Sequence, residues 1–170
     1  MLLFFQVKAQ QPLETFKDAN GKYGLKNKSG EIVTQPKYEY IGPSYEGYAI
    51  IRLIYWGFID IAGKEITPIK YQEVRYFKEG LAGVKSNNKW GIIDKTGKEV
   101  VTIIYQAIDD FSSEGLAAVY LNDKWGFIDI AGKEITPIKY QEVRYFKEGL
   151  AGVKSNNKWS IYSTRDKIVI

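Results

Sequence analysis

The chain has 170 residues, 45% hydrophobic and 26% charged, with a formal net charge of +4 and a pI near 9.0. It contains no Cys and no His, which removes disulfides, thiol nucleophiles, imidazole bases and every Cys/His metal site. Lys and Arg are interleaved with Asp and Glu instead of forming a basic stripe, so a solvated surface is expected and a nucleic-acid partner is not. Four Trp, thirteen Tyr, eight Phe and sixteen Gly are the balance of short strands joined by tight turns, with very little helix.

Residues 1–12 form an N-terminal segment. Met1-Leu2-Leu3-Phe4-Phe5 followed by Ala9-Gln10-Gln11 is similar to the tail of a secretory signal, but the basic start is missing and the apolar run is short. It reads equally as an apolar strand or as a signal remnant, which tilts the expected location toward the outside of the cytoplasm. No later run approaches the ~20 apolar residues that span a bilayer.

Residues 13–170 read as one array of four to five units. An aromatic followed by Gly recurs at Tyr23-Gly24, Trp56-Gly57, Trp90-Gly91 and Trp125-Gly126, and then as Trp159-Ser160, in steps of 33, 34, 35 and 34 residues. Tyr38, Tyr71, Tyr105 and Tyr140 keep the same rhythm, as do Glu46-Gly47, Glu79-Gly80, Glu114-Gly115 and Glu148-Gly149. Residues 57–90 return unchanged as residues 126–159. The stretch between them, 91–125, holds three basic and six acidic residues against six and four in each identical copy, so neighbouring units alternate in sign.

Within a unit, Leu81–Ser86 predicts a strand, and Asn87-Asn88 a tight turn that tolerates positive φ. Lys89–Asp94 then returns antiparallel. A Gly turn at 95–98 leads into a third strand, Glu99–Thr102. Pro68 and Pro137 follow the equivalent strand elsewhere, where they end ladder pairing. The stretch from Tyr71 to Gly80, like that from Tyr140 to Gly149, is expected to be irregular and to cross to the next unit. Period two places apolar groups on both faces of Trp125–Ile130, so this strand is expected to be covered twice. The Gly after each Trp is assigned a packing role, with a neighbouring aromatic such as the recurring Tyr lying against its backbone.

These elements resemble the WG-repeat family. The resemblance is carried by Trp125-Gly126-Phe127-Ile128-Asp129, Gly132, Pro137-Ile138-Lys139-Tyr140, Phe146, Glu148-Gly149 and Leu150-Ala151-Gly152-Val153. It implies a β-rich repeat used in binding and assembly, with no established chemistry. The pattern departs where Tyr23 replaces Trp, where Leu53-Ile54 replaces the Asn turn, and where Ser160 and Ser163 replace Gly and Asp. Terminal units of a stack have one neighbour and are expected to be atypical. The last strand, Lys167-Ile168-Val169-Ile170, either pairs inward or invites another chain.

The fold expected is all-β, with tandem repeats of about 34 residues built on β-hairpins in an open twisted array. A compact closed, propeller-like ring is the alternative. The candidate contact surface is the Arg-Tyr-Phe-Lys crossing, represented by Arg75, Tyr76 and Lys78 and, in the copy, by Arg144, Tyr145 and Lys147. The Lys-Trp pairs read mainly as core and secondarily as cation–π platforms. Asp109-Asp110 with Glu114 is the one dense acidic group, and it lacks the spacing of a calcium loop. No catalytic, cofactor or metal residue is assigned, and no cofactor is expected. The function expected is a non-enzymatic scaffold for protein–protein interaction, with glycan binding through aromatic side chains as the alternative.

Overall fold

A computed structural model describes residues 13–165. The N-terminal segment 1–12 and the strand expected at 167–170 lie outside the described residues. The described chain contains strands and turns with no helix, and therefore no helix long and apolar enough to cross a membrane. It divides into two compact units between Gly80 and Leu81.

The first unit contains two antiparallel sheets. One orders β1 (Glu14–Lys17), β2 (Tyr23–Lys26) and β3 (Ile32–Tyr38) in sequence; the other orders β4 (Tyr40–Tyr45), β5 (Tyr48–Arg52) and β6 (Trp56–Asp60). A short strand β7 (Glu73–Val74) lies near its end. In the second unit, β8 (Leu81–Ser86), β9 (Lys89–Asp94) and β10 (Glu99–Tyr105) pair around a central β9. The next sheet runs β11 (Ala107–Ile108), β12 (Leu116–Leu121), β13 (Lys124–Asp129) and β14 (Glu134–Tyr140), and the last runs β15 (Glu142–Val143), β16 (Leu150–Ser155) and β17 (Lys158–Ser163). The five sheets are small, tandem and antiparallel, and none closes on itself.

The expected turns form for the expected reason. Asn87 and Asn88 adopt φ of 48° and 60°, and Asn122-Asp123 and Asn156-Asn157 match them, the left-handed pair that a two-residue hairpin matched to strand twist requires. At the other end of the hairpin, Asp94 Oδ1 accepts hydrogen bonds from the amides of Thr96 (2.8 Å) and Lys98 (3.1 Å). Asp60 and Asp129 repeat the arrangement. In these three repeats the Asp is therefore the side chain that folds the Gly turn, and Asn27 takes its place in the first.

Three details differ from expectation. Pro137 does not end the ladder, since β14 runs through it and Tyr140 pairs with Trp125 beyond it. The crossing between units is not irregular throughout, because β4, β11 and β15 pair with the first hairpin strand that follows them. Glu-Gly makes this possible: Glu46, Glu79 and Glu148 have φ near 50° and the following Gly near 80°, a tight turn that brings Tyr45 opposite Tyr48 and Lys147 opposite Leu150. The Gly after each Trp does have a packing role, but its neighbour is backbone, not an aromatic ring. A Cβ on Gly126 would lie 2.9 Å from Ile138 Cα and 3.1 Å from the Pro137 carbonyl oxygen; on Gly91 it would lie 2.6 Å from Val101 O and 2.8 Å from Ile103 Cα. The third strand bulges at this point and rests on the bare glycine.

That bulge leaves an amide without its ladder partner, and a threonine supplies one. Thr136 Oγ1 accepts from Phe127 N, and Thr67 Oγ1 from Phe58 N, each at 3.1 Å. Both hydroxyls are buried and satisfied, which is the condition for tolerating them there.

Cores form between successive sheets. In Gly-Phe-Ile of β13, Phe127 turns into a cluster with Tyr140, Phe146 and Val153, while Ile128 turns the other way against Ile92, Ile108 and Val119. Expected coverage of this strand on both faces is what is found. Polar links reinforce the stacking. Glu65 accepts from the Tyr38 hydroxyl (2.6 Å) and Lys37 (2.8 Å) of the preceding repeat. Glu46 accepts from the amides of Glu79 and Gly80, and Glu114 from that of Gly149.

Gly91→Ala is expected to lower stability by about 1–3 kcal/mol, the range for overpacking a filled site, and to cost more than Gly57→Ala, whose nearest contacts are 3.2 Å away. Denaturant midpoints of the two variants check the order. For Glu65, burial works against ionisation, but the hydrogen bonds from Lys37 and Tyr38 prevail and hold its carboxyl below the ordinary value. A depressed folded pKa contributes stability above the unfolded value of about 4.3 and loses it as pH falls through the folded one. Glu65→Gln should therefore flatten part of the acid limb of a thermal-stability profile and leave its slope at neutral pH unchanged.

Candidate interaction surface

Strand register sets what each Trp meets. Arg52 lies opposite Trp56, Lys85 opposite Trp90, Tyr120 opposite Trp125 and Lys154 opposite Trp159. Arg52 sits 5.1 Å from the Trp56 ring centre, Lys85 5.6 Å from that of Trp90, and the Tyr120 ring 4.9 Å from that of Trp125. Trp159 carries both Arg144, at 4.5 Å, and Lys154, at 5.8 Å. At Trp90 and Trp159 the facing strand supplies a cation, Lys85 and Lys154, and not the Lys that precedes the Trp in sequence, because adjacent residues of a strand point to opposite faces. Trp56, Trp90 and Trp125 are half-buried, and Trp159 is 41% exposed. Each Trp ring thus has at least one of the chain's own side chains packed against it.

The Arg-Tyr-Phe-Lys crossings split by side. Phe77 and Phe146 are buried, 4.9 Å from Phe58 and 4.5 Å from Phe127, each in an edge-to-face arrangement. Lys78 and Lys147 are exposed, as are Arg144 and Tyr145, the latter at 81%. Arg75 and Tyr76 are half-buried, although their sequence context is the same. Tyr76 packs 4.6 Å from Tyr45, and burial and a hydrogen bond with Tyr40 push its hydroxyl pKa up. The repeat before Tyr145 has Ala107 and Ser113 at the positions of Tyr40 and Tyr45, so the second tyrosine has no such wall. Identical copies therefore present different surfaces.

One feature stands in the sequence only as a departure from the repeat, Leu53-Ile54 in place of the Asn turn, and not as part of the candidate surface. The turn from β5 to β6 holds Leu53, Ile54 and Tyr55, exposed by 39%, 89% and 49%, and is closed by a hydrogen bond from Leu53 N to Tyr55 O of 3.0 Å. The signal was present, since an apolar pair stands where other repeats place Asn. Beneath it, Arg52 Nε is buried without a hydrogen-bond partner. Among the described residues no group of three acidic side chains is placed to hold a metal ion.

A family model described as "WG containing repeat" matches residues 23–53, 56–90, 90–125 and 125–159. No curated protein matches the chain. Solved structures that resemble it include Hsv2p of Kluyveromyces lactis, at 10% identity and TM-score 0.45 over 91% of this chain and 59% of that one. Others are the C-terminal WD40 domain of Sif2 (8%, TM-score 0.42, 91% and 52%) and a eukaryotic initiation factor (15%, TM-score 0.47, 92% and 50%). The chain spans less than two thirds of the length of each.

Truncating a half-buried Trp removes less than the about 3–5 kcal/mol typical of a fully buried one. Trp125→Ala, which empties the space beside Tyr140 and Tyr120, is expected to cost about 2–3 kcal/mol, and Trp159→Ala about half as much because its ring is already wetted. Urea denaturation of the two variants gives the comparison.

Proposed function

Because the chain belongs to the WG containing repeat family, with four consecutive repeats over residues 23–159, we propose that it is a non-enzymatic scaffold whose partner is another protein. The observation that carries this reading is the packing of the chain's own side chains against the tryptophan rings. A glycan or a single-stranded nucleic acid recognised by stacking needs a flat aromatic face open to solvent. Here Arg52, Lys85, Tyr120, Arg144 and Lys154 already pack against the four Trp rings and compete with such a ligand for them. What remains outside is a mixed relief of Tyr145, Arg144 and Lys147, the Leu53-Ile54-Tyr55 tip and scattered ion pairs. Tyr and Arg surrounded by small and polar groups are the residues that anchor protein interfaces.

Chemical cross-linking of the chain to its protein partner, mapped residue by residue, tests the surface. Tyr145→Ala and Arg144→Glu are expected to weaken that complex by about tenfold or more each, as loss of an interface anchor does; Tyr145→Ala should leave the melting temperature within about 1–2 °C, whereas Arg144→Glu also gives up the contact with the Trp159 ring and lowers it further. Saturable binding of a polysaccharide or oligonucleotide that shifts the Trp emission, with protein binding indifferent to both substitutions, would refute the proposal.

A further inference from the structure

Each crossing segment turns one side chain back toward the sheet it leaves. Counted from the paired residue that opens the crossing (Ile41, Val74, Ile108 and Val143), the third residue along is Ser44, Phe77, Phe111 and Phe146. The three phenylalanines are filled sites. Phe77 lies 4.9 Å from both Phe58 and Tyr48, Phe146 packs on Phe127, and Phe111 packs on the cluster around Ile92 and Ile108. In the first repeat all three members of the Phe58, Phe77 and Tyr48 group are smaller: Leu25 stands for Phe58, Ser44 for Phe77 and Leu13 for Tyr48.

The structure has a cavity at this place. It measures about 280 Å³ and is lined by Leu13, Leu25 and Ser44 together with Ile41, Ile59 and Ile61. An apolar cavity of roughly 150 Å³ accommodates benzene, so the space holds a phenyl ring and part of the chain that carries it. One charged residue, Asp60, also lines it. Asp60 gives one carboxylate oxygen to the amides of Ala62 and Lys64, each at 2.9 Å, and forms no ion pair among the described residues.

We propose that this cavity is a binding site for the aromatic side chain of a partner protein, presented in a segment where the ring is flanked by a basic residue. The proposal rests on the reading of the chain as a protein-binding scaffold and names the anchor that such a partner supplies. The ring is the group the repeat itself places at the equivalent site, and the basic neighbour matches Asp60, the one charge among the described residues that line the cavity. The chain's own crossing has this chemistry, since Phe146 stands in Arg144-Tyr145-Phe146-Lys147. It therefore supplies the probe.

The test titrates the full chain into a fluorescein-labelled hexapeptide, Val-Arg-Tyr-Phe-Lys-Glu, the sequence of residues 143–148, read by fluorescence anisotropy. Saturable binding is expected, and replacing the peptide's Phe with Ala should weaken it at least about tenfold, the usual effect of removing an anchor. Ser44→Phe should abolish binding to the same degree while raising the melting temperature, because the ring then comes from within. Asp60→Asn keeps the amide-accepting oxygen and should weaken binding severalfold with a smaller salt dependence. Equal affinity for the Phe and Ala peptides overturns the proposal, and that arm needs no protein variant. Binding that appears only after residues 1–12 are deleted overturns it too, by assigning the cavity to the chain's own Phe4 or Phe5. Tyr145→Ala should leave hexapeptide affinity unchanged, so failure of the Tyr145 surface and failure of the cavity are told apart.

Discussion

The strand β13 is a wall shared by two cores. The residue after Gly faces the following sheet and the next residue faces the preceding one, as Phe127 and Ile128 show. A single repeat therefore cannot bury its own apolar surface, and a hydrophobic face left uncovered is what small β units cannot tolerate. The other recurring features serve that wall. Glycine admits the bulged third strand, threonine satisfies the amide the bulge releases, and the crossing phenylalanine closes the space between neighbouring walls.

Much of this was legible in the chain. The period, the Asn turns, the twofold covering of Trp125–Ile130 and the all-β class follow from spacing and from the positive φ that Asn and Gly accept. What was not legible involves long-range contact. Nothing local in Trp-Gly says that the glycine's neighbour is the backbone at Ile138, because that approach is created by a register shift between β13 and β14. Glu-Gly was visible as a landmark but not as a left-handed hairpin, since Glu is a rare choice for positive φ. The carboxylate of Glu46 explains the choice, because it caps the same turn one repeat later.

Exposure along the crossing segment was legible only in part for a related reason. Alternation within Arg-Tyr-Phe-Lys could separate an inward Phe from its outward neighbours, and Phe77 and Phe146 do point inward. It could not show that Tyr76 is walled by Tyr45 while Tyr145 stands free, because that depends on side chains contributed by the previous repeat. In a stack, the environment of a residue is written half in its own unit and half in the one before.

The exact identity of residues 57–90 and 126–159 also bears on how the chain reaches its folded state. Two identical hairpins compete for the same third strands and the same crossing segments, and a pairing between the wrong copies would satisfy local hydrogen bonds equally well. The stretch between them breaks that degeneracy: it places Ile92 where the copies have Phe, Val101 where they have Thr, and Thr102 where they have Pro. Its hairpin cannot receive the threonine-capped bulge of its neighbours without loss. A spacer of different grain thus keeps two interchangeable parts from exchanging strands, and a chain made of the identical unit alone would be expected to fold more slowly and to swap segments between molecules.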